Sequence, residues 1–452
     1  SNLNNFLAYP RISKDSVNSV PYRPMFQMDA LQSSGVGIGV SSYYGTGLSS
    51  GIQGMFSDIL GQQKIYAAAA VNGQIYDFGA QVAYINQKSR WDKGISVSHI
   101  PFQFGFYNRT VTNTTSEGNP AYIITDDSYI VRNFEDAVNI FTSYPISRIS
   151  RVQFGTGASY NSYRTDRYSD SSLYVPALER STYLGSDRKK VNNTEAANVL
   201  GFNLNSYTLL RANVALIGDN SFFGVTAPLN GFRYHIEAEY IFGSFKFFSP
   251  IIDLRKYVRV APVTFAARLY GTGRFGKANS LYPLYVGYPF LIRGYEAQSF
   301  YSSGKAITNG FGIDQLSGSR IAVANFEVRL PFTGPEKLAQ IKSGFLFTDL
   351  NLFFDAGLAW NAGNVIKLQK GPDYIGQGPV LDNNNNPVVD KDGNPVLEAK
   401  YDQNQRVPAL SAGISLRVNF FGAFILEPYF AIPLNRTDVK KPVFGLTFAP
   451  GW

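Results

Sequence analysis

Apolar and polar residues alternate strictly along several segments of this chain. In residues 232–240, aromatic and aliphatic side chains occupy every even position, and Arg, His and Glu side chains occupy the odd ones. Residues 322–330 repeat the pattern with a single exception, Val323, and residues 410–420 repeat it again. Side chains of a β-strand point to opposite faces in turn, so this period of two predicts strands with one apolar and one polar face.

Counting outward from these segments predicts an all-β chain of about 16 strands. Some connections are short, such as 243–244 and 421–422, whereas 108–127, 164–197 and 361–405 are long and polar. Short turns at one rim and long loops at the other are typical of an antiparallel transmembrane β-barrel. The strands are predicted near Gly35, Gly51, Gln62, Phe78, Trp91, Asp136, Ile149, Ser206, Phe232, Lys246, Val263, Ile321, Asn351, Ala409, Ala423 and Pro442.

Composition argues against several kinds of functional site in the predicted barrel. The 452 residues include no Cys and two His, which leaves no thiolate site and little material for a zinc centre. Lys and Arg are scattered and the net charge is +8, so no nucleic-acid footprint is indicated. Aromatic residues near predicted strand ends favour interfacial girdles over a soluble β-sandwich, which has the same alternation and stays an alternative. These aromatics are Tyr43, Trp91, Trp360, Tyr429 and Trp452.

A connection of about 50 residues, 271–320, separates two strongly alternating strands and carries the motif Arg293-Gly294-Tyr295. Connections of this length without structure of their own are uncommon and are often functional. A loop of this kind therefore makes the motif the leading candidate for a functional site.

Three motifs, in this order, resemble the BamA-type superfamily of outer-membrane assembly factors and two-partner-secretion transporters. They are the Leu-Ile-Arg-Gly-Tyr of 291–295, the Asn-Phe-Glu-Val-Arg-Leu-Pro of 325–331 and the Phe-Phe-Asp-Ala-Gly-Leu-Ala-Trp of 353–360. The resemblance implies a 16-stranded barrel with its sixth extracellular loop folded into the lumen. It also implies that Arg293 is the loop-tip arginine and that Glu327 and Asp355, on strands twelve and thirteen, are its partners.

Physical chemistry agrees with that expectation. Glu327 and Asp355 both fall in the polar, lumen-facing phase of consecutive strands, and the planar fork of an arginine can bind carboxylates bidentately. Gly294 would allow a sharp turn at the tip, and Tyr295 would pack against the barrel wall. The simpler alternative is a surface arginine, with Glu327 paired to its neighbour Arg329.

The domain organisation follows from the strand count and the resemblance. We assign residues 1–34 to a periplasmic linker that leads into the barrel, residues 35–452 to the transmembrane barrel, and about 273–320 to the in-folded loop. Residues 57–61 and their flanking strands resemble superfamily members in which a periplasmic propeller precedes the barrel. Nothing in residues 1–34 matches a POTRA domain, so such domains either lie upstream or are absent from this member.

The seam between the first and last strands is expected to be weak. Gly35, Gly37 and Gly39 share one phase of the predicted first strand, and the last segment contains Gly445, Pro450 and Trp452, where the proline cannot donate to the ladder. A weak seam exposes backbone groups to which a client strand could add. Alternatively, the glycines relieve crowding at a bend.

The expected function is assistance of protein insertion or translocation at the bacterial outer membrane, without enzymatic activity or a cofactor. A Gly-x-Ser-x-Gly match at 47–51 falls in a hairpin, and a Gly-x-Gly-x-x-Gly match at 271–276 precedes no helix. The expected partners are unfolded outer-membrane proteins or secreted clients, outer-membrane lipid with lipopolysaccharide, and periplasmic accessory subunits. A passive pore and a soluble β-rich binding protein are the alternatives.

Overall fold

The computed structural model is almost entirely β-structure. It describes residues 22–34, 38–41, 45–48, 51–71, 78–175, 178, 180–200, 203–224, 226–277, 283–296, 308–379, 387, 394–395, 397–420 and 424–448. Within these ranges, no helix is long and apolar enough to cross a membrane.

The main sheet is a meander in which each strand pairs antiparallel with the next. Its strands are β1 (Phe26–Ser34), β2 (Gly51–Asp58), β3 (Gln63–Val71), β4 (Phe78–Asn86), β5 (Asp92–Ser116), β6 (Asn119–Pro145), β7 (Ser150–Val175), β8 (Tyr207–Asp219), β9 (Pro228–Gly243), β10 (Lys246–Val260), β11 (Val263–Gly273), β12 (Arg320–Gly334), β13 (Leu346–Trp360), β14 (Ala409–Phe420), β15 (Phe424–Pro433) and β16 (Val443–Phe448).

Smaller elements decorate this meander. One α-helix, α1 (Asn193–Leu200), and one 3₁₀ helix (Ile313–Leu316) occur among the described residues. The short strands are Ile38–Ser41 paired with Gly45–Leu48, Arg180–Val191 on the outer half of β7, Phe222–Phe223 on β9, Phe275–Lys277 on β10, Leu284–Tyr285 paired with Ser317–Gly318, Ile341–Lys342 on β12, Val365–Ile366 paired with Gln405–Arg406, and Tyr374–Pro379 paired with Leu397–Tyr401.

The two rims of the meander differ. The rim that was predicted to carry long loops carries strand extensions at two of the predicted loop positions. Residues 108–127 are not a loop, because β5 and β6 continue through them to a two-residue turn at Glu117 and Gly118, both with positive φ. Residues 164–197 likewise contain the end of β7, the strand Arg180–Val191 and the start of α1. These extensions carry polar residues on both faces, so the one-faced alternation that reveals a membrane strand is lacking.

The first strand lies earlier than the sequence pattern suggests. β1 occupies part of the segment assigned to a linker, and its pairing with β2 shifts register between Met28 and Ala30. This bulge interrupts the period of two and hides the strand in the sequence. Gly39 lies in the separate Ile38–Ser41 hairpin, whereas Gly35 and Gly37 lie outside the described residues.

The two faces of the sheet are polarised in the opposite sense to a soluble protein. On β13, Leu350, Leu352 and Phe354 are exposed, whereas Asn351 and Asp355 of the alternate phase are completely buried. Apolar groups outside and polar groups inside are typical of a barrel that faces lipid and encloses a polar lumen. A sandwich buries its apolar face instead.

Candidate functional site: an arginine held inside the sheet

The connection between β11 and β12 turns back onto the inner face of β12, β13 and β14. Its apolar residues form one buried cluster with side chains of these strands. Ile292 lies against Gly357 of β13, where a Cβ atom would come within 2.0 Å of the Ile292 Cδ1 atom. The missing side chain at position 357 therefore makes room for the loop.

The tip of this loop needs the conformational freedom of glycine. Gly294 has a φ of +88°, and a Cβ atom there would meet the Cβ atom of Ala431 on β15 at 2.9 Å. Tyr295 is completely buried and donates its hydroxyl hydrogen to the carbonyl oxygen of Leu410, 2.8 Å away. Burial raises the pKa of the Tyr295 hydroxyl above its ordinary value.

Arg293 binds Asp355 of β13 through a two-pronged contact. Its Nε and Nη2 atoms each donate a hydrogen bond of 2.8 Å to one of the two carboxylate oxygens. The backbone N–H of Arg293 adds a third bond, of 3.2 Å, to the same carboxylate. Asn325 of β12 donates to Asp355 as well, which fixes the orientation of the carboxylate.

The remaining nitrogen of the guanidinium reaches two further strands. Nη1 donates to Glu327 of β12 at 2.9 Å and to Glu427 of β15 at 3.0 Å. The Cζ atom lies 3.6 Å from the centroid of the Phe353 ring, a cation–π contact on the face of the guanidinium. Arg293 therefore ties the loop to three strands, β12, β13 and β15.

Two more arginines complete what we call the charge cluster: Arg293, Arg329, Arg417, Glu327, Asp355 and Glu427. Arg329 donates to Glu327 at 2.7 Å. Arg417 of β14 donates to Glu427 at 3.0 Å and approaches both oxygens of Glu327. Three cations and three carboxylates leave the cluster with no net charge, and none of the six side chains is more than 4% exposed.

Electrostatics keeps this arginine ionised. Burial alone would lower the pKa of Arg293, but the neighbouring Asp355 and Glu327 carboxylates raise it well above its usual value. A buried ion pair that loses one partner leaves an uncompensated charge, so each member of the cluster depends on the others. The arrangement can hold the loop in one position.

The structure brings Arg293 together with both carboxylates expected from the sequence. It also shows that the alternative contact is real, because Glu327 binds Arg329 and Arg293 at the same time. Glu427 and Arg417 were missed. Arg417 lies in the polar phase of the alternating strand β14. Glu427 is the only charged residue of β15, a signal that could have identified it.

The proposed seam residues are only partly described. Gly445 lies in β16 opposite Tyr429 of β15, whose ring would clash with a Cβ atom at position 445. Pro450 and Trp452 lie outside the described residues. Among the residues that are described, no register joins β16 to β1, and no group of three or more His, Asp or Glu side chains is arranged to hold a metal ion.

Several solved structures are similar to this chain, among them the following two. One is the crystal structure of BamA from Haemophilus ducreyi lacking POTRA domains 1–3, with 12% identity and a TM-score of 0.44, covering 93% of this chain and 75% of that one. The other is CdiB from Acinetobacter baumannii, with 13% identity and a TM-score of 0.38, covering 88% of this chain. This chain spans 56% of the CdiB chain. No protein-family model and no curated protein matches.

Proposed function

We propose that this protein is an outer-membrane β-barrel of the BamA type that assists insertion or translocation of proteins. The observation that carries the proposal is the placement of Arg293, at the tip of a long loop, against carboxylates on the inner face of β12 and β13. The resemblance in the three sequence motifs implies this contact. The same residues make it, at hydrogen-bonding distance.

The polarity of the sheet supports a membrane location. Exposed apolar residues continue around the sheet on its outer face, for example Leu254 on β10, Phe326 on β12 and Ile414 on β14. We propose that β1 to β16 close into a 16-stranded barrel in the bacterial outer membrane. The rim of short turns would then face the periplasm, and the rim with the β5–β6 extension would face the outside.

The chemistry of the charge cluster suits a conformational role. Several short hydrogen bonds between charged groups hold the loop in place. Because the positive and negative charges of the cluster balance, these bonds can be exchanged for others without leaving a net charge behind. The work of such a protein would come from the folding of its client. Unfolded outer-membrane proteins or secreted proteins are the proposed clients, with outer-membrane lipid, lipopolysaccharide and periplasmic accessory subunits as further partners.

Reconstitution of the purified protein in lipid vesicles tests the proposal. A urea-unfolded outer-membrane barrel protein is added, and its folding is followed by the gel mobility of unheated samples. We expect the wild-type protein to accelerate folding and Arg293→Ala to lose most of the acceleration. Arg132→Ala, which removes an equally buried arginine paired with Asp166, is the matched control.

A passive pore would give the opposite pattern. It would conduct steadily in a planar bilayer, leave the folding rate of the added protein unchanged, and respond to Arg293→Ala with altered conductance only. Equal client folding in empty and protein-containing vesicles would therefore remove the proposed function.

We also propose that the barrel opens laterally between β1 and β16. The chain contains no cysteine, so a cysteine pair introduced on these two strands can be oxidised without competing thiols. Oxidation should stop client folding and reduction should restore it. Full activity of the oxidised, cross-linked protein would exclude a moving seam.

A further inference from the structure

The connection between β8 and β9 differs in burial from two other connections at the same rim. Residues 88–91 and 146–149, at the same rim, are exposed throughout, as surface turns normally are. Residues 226–229, which we call the plug segment, comprise the end of this connection and the first two residues of β9. They are buried, and Thr226, Ala227 and Leu229 are each at most 5% exposed. Phe222 and Phe223, just before them, are exposed.

The plug segment contacts strands that are distant along the sheet. Thr226 donates its hydroxyl hydrogen to the Asp349 carboxylate of β13, and the carbonyl oxygen of Pro228 accepts from Nη1 of Arg329 on β12 at 3.5 Å. β13 lies four strands from β9, or about 19 Å along the sheet at about 4.8 Å per strand. Contact over this separation requires the segment to leave the rim and cross the inner face.

Arg329 connects the plug segment to the loop that carries Arg293. Its Nε atom binds Glu327 at 2.7 Å, and Glu327 accepts from Arg293 at 2.9 Å. One continuous path of polar contacts therefore runs from Pro228 to Arg293. The loop enters the interior from one rim and the plug segment from the other. Arg329 connects them, because it donates to Glu327, which binds the loop, and to the carbonyl oxygen of Pro228 in the plug segment.

We propose that residues 226–229 form a second plug of the barrel interior, on the short-turn side, and that its release is coupled to release of the Arg293 loop. When Arg293 leaves, Glu327 loses one of its three arginines and shifts toward Arg329 and Arg417, which weakens the contact of Arg329 with Pro228. Thermodynamic linkage requires the reverse effect as well: displacing the plug segment must loosen the loop.

Cysteine labelling of the purified protein in detergent tests the coupling without any client, so it stands or falls separately from the proposed function. Ala227→Cys reports on the plug segment and Val286→Cys, buried in the loop, reports on the other side. Ser89→Cys, in an exposed turn of the same rim, gives the rate of a free thiol. A membrane-impermeant maleimide is the probe.

We expect Ala227→Cys to react far more slowly than Ser89→Cys, and Arg293→Ala to accelerate its reaction about fivefold to a hundredfold, the usual range of coupling between sites. Arg132→Ala should leave the rate unchanged. In the reverse direction, Thr226→Asp places a second carboxylate against Asp349 and should accelerate labelling of Val286→Cys, whereas Ser89→Asp should not.

Two results would overturn the proposal. Labelling of Ala227→Cys at the rate of Ser89→Cys in the otherwise unchanged protein would show that the segment does not plug the interior. Protection of Ala227→Cys that is unaffected by Arg293→Ala would show two independent plugs. Gel mobility of unheated samples identifies variants that fail to fold, and Arg293→Lys, which keeps the charge and loses the fork, replaces Arg293→Ala in that case.

Discussion

The guanidinium of Arg293 and the carboxylate of Asp355 form two parallel hydrogen bonds of 2.8 Å, although 62 residues separate them in the chain. Arg293 is the only arginine bound to Asp355 among the described residues, whereas Glu327 is shared by three. If Arg293 leaves, Asp355 therefore loses its arginine partner, whereas Glu327 keeps two.

This difference predicts an asymmetry in charge-swap experiments. Arg293→Asp should destabilise the seated loop by about 3–5 kcal/mol, the cost of breaking a buried ion pair, and Asp355→Arg in the same chain should restore part of the loss. Arg293→Glu with Glu327→Arg should restore nothing, because the new arginine would face Arg329 and Arg417. Unfolding temperatures from gel mobility of unheated samples measure the effect; equal rescue by both swaps would contradict the assignment.

Gly294 and Gly363 allow backbone strain to be separated from steric contact. Both have φ near +90°, but a Cβ atom at Gly294 would clash with Ala431, whereas one at Gly363 would meet nothing within 4 Å. Gly363→Ala should lower the free energy of unfolding by about 1–2 kcal/mol, because a residue with a Cβ atom is disfavoured in this left-handed backbone conformation. Gly294→Ala should cost more and should increase proteolysis of the loop. Similar proteolysis of the two variants would argue against a seated tip.

The hydroxyl of Tyr295 should contribute to stability mainly through the hydrogen bond that it donates to Leu410, since the bond that it accepts from the backbone N–H of Asn435 is longer, at 3.4 Å. Tyr295→Phe removes the hydroxyl donor to the carbonyl oxygen of Leu410, which keeps the backbone N–H of Leu434 as a donor at 2.7 Å. We therefore expect the loss of about 0.5–1.5 kcal/mol that is typical of one hydrogen bond, and not the larger penalty of an unsatisfied buried group. Tyr374→Phe, at an exposed tyrosine of the β13–β14 connection, should change stability by much less. Thermal unfolding in detergent compares the pair, and a larger effect at Tyr374 would contradict this account.

Charge on the outer face of the sheet tests the membrane location. Leu352 is exposed in the middle of β13, and arginine at the middle of a lipid-facing strand costs about 2–4 kcal/mol. Leu352→Arg should therefore impair folding into lipid vesicles, measured by urea titration. Leu368→Arg, in the connection after β13, should be tolerated. Unimpaired folding of Leu352→Arg in buffer without lipid or detergent would indicate a soluble protein instead.

Much of the candidate site can be read from local patterns. The period of two places Glu327 and Asp355 on the polar face of their strands, and the length of the 271–320 connection marks that loop as a functional candidate. The resemblance in the three motifs then implies that Arg293 is the tip arginine and that these two carboxylates are its partners. These signals involve only neighbouring residues. They fail where strands carry polar residues on both faces, as in the extension of β5 and β6, and where a bulge breaks the period, as in β1.

On the alternating strands, the sequence by itself determined which residues face inward, because pleating fixes the side-chain direction from one residue to the next. Only the tertiary structure decided which inward residues meet. Glu427 reaches Arg293 from 134 positions away, and Thr226 reaches Asp349 from 123 positions away. Contacts across the interior depend on how the sheet curves and how two connections fold back into it, and no periodicity along the chain records that geometry.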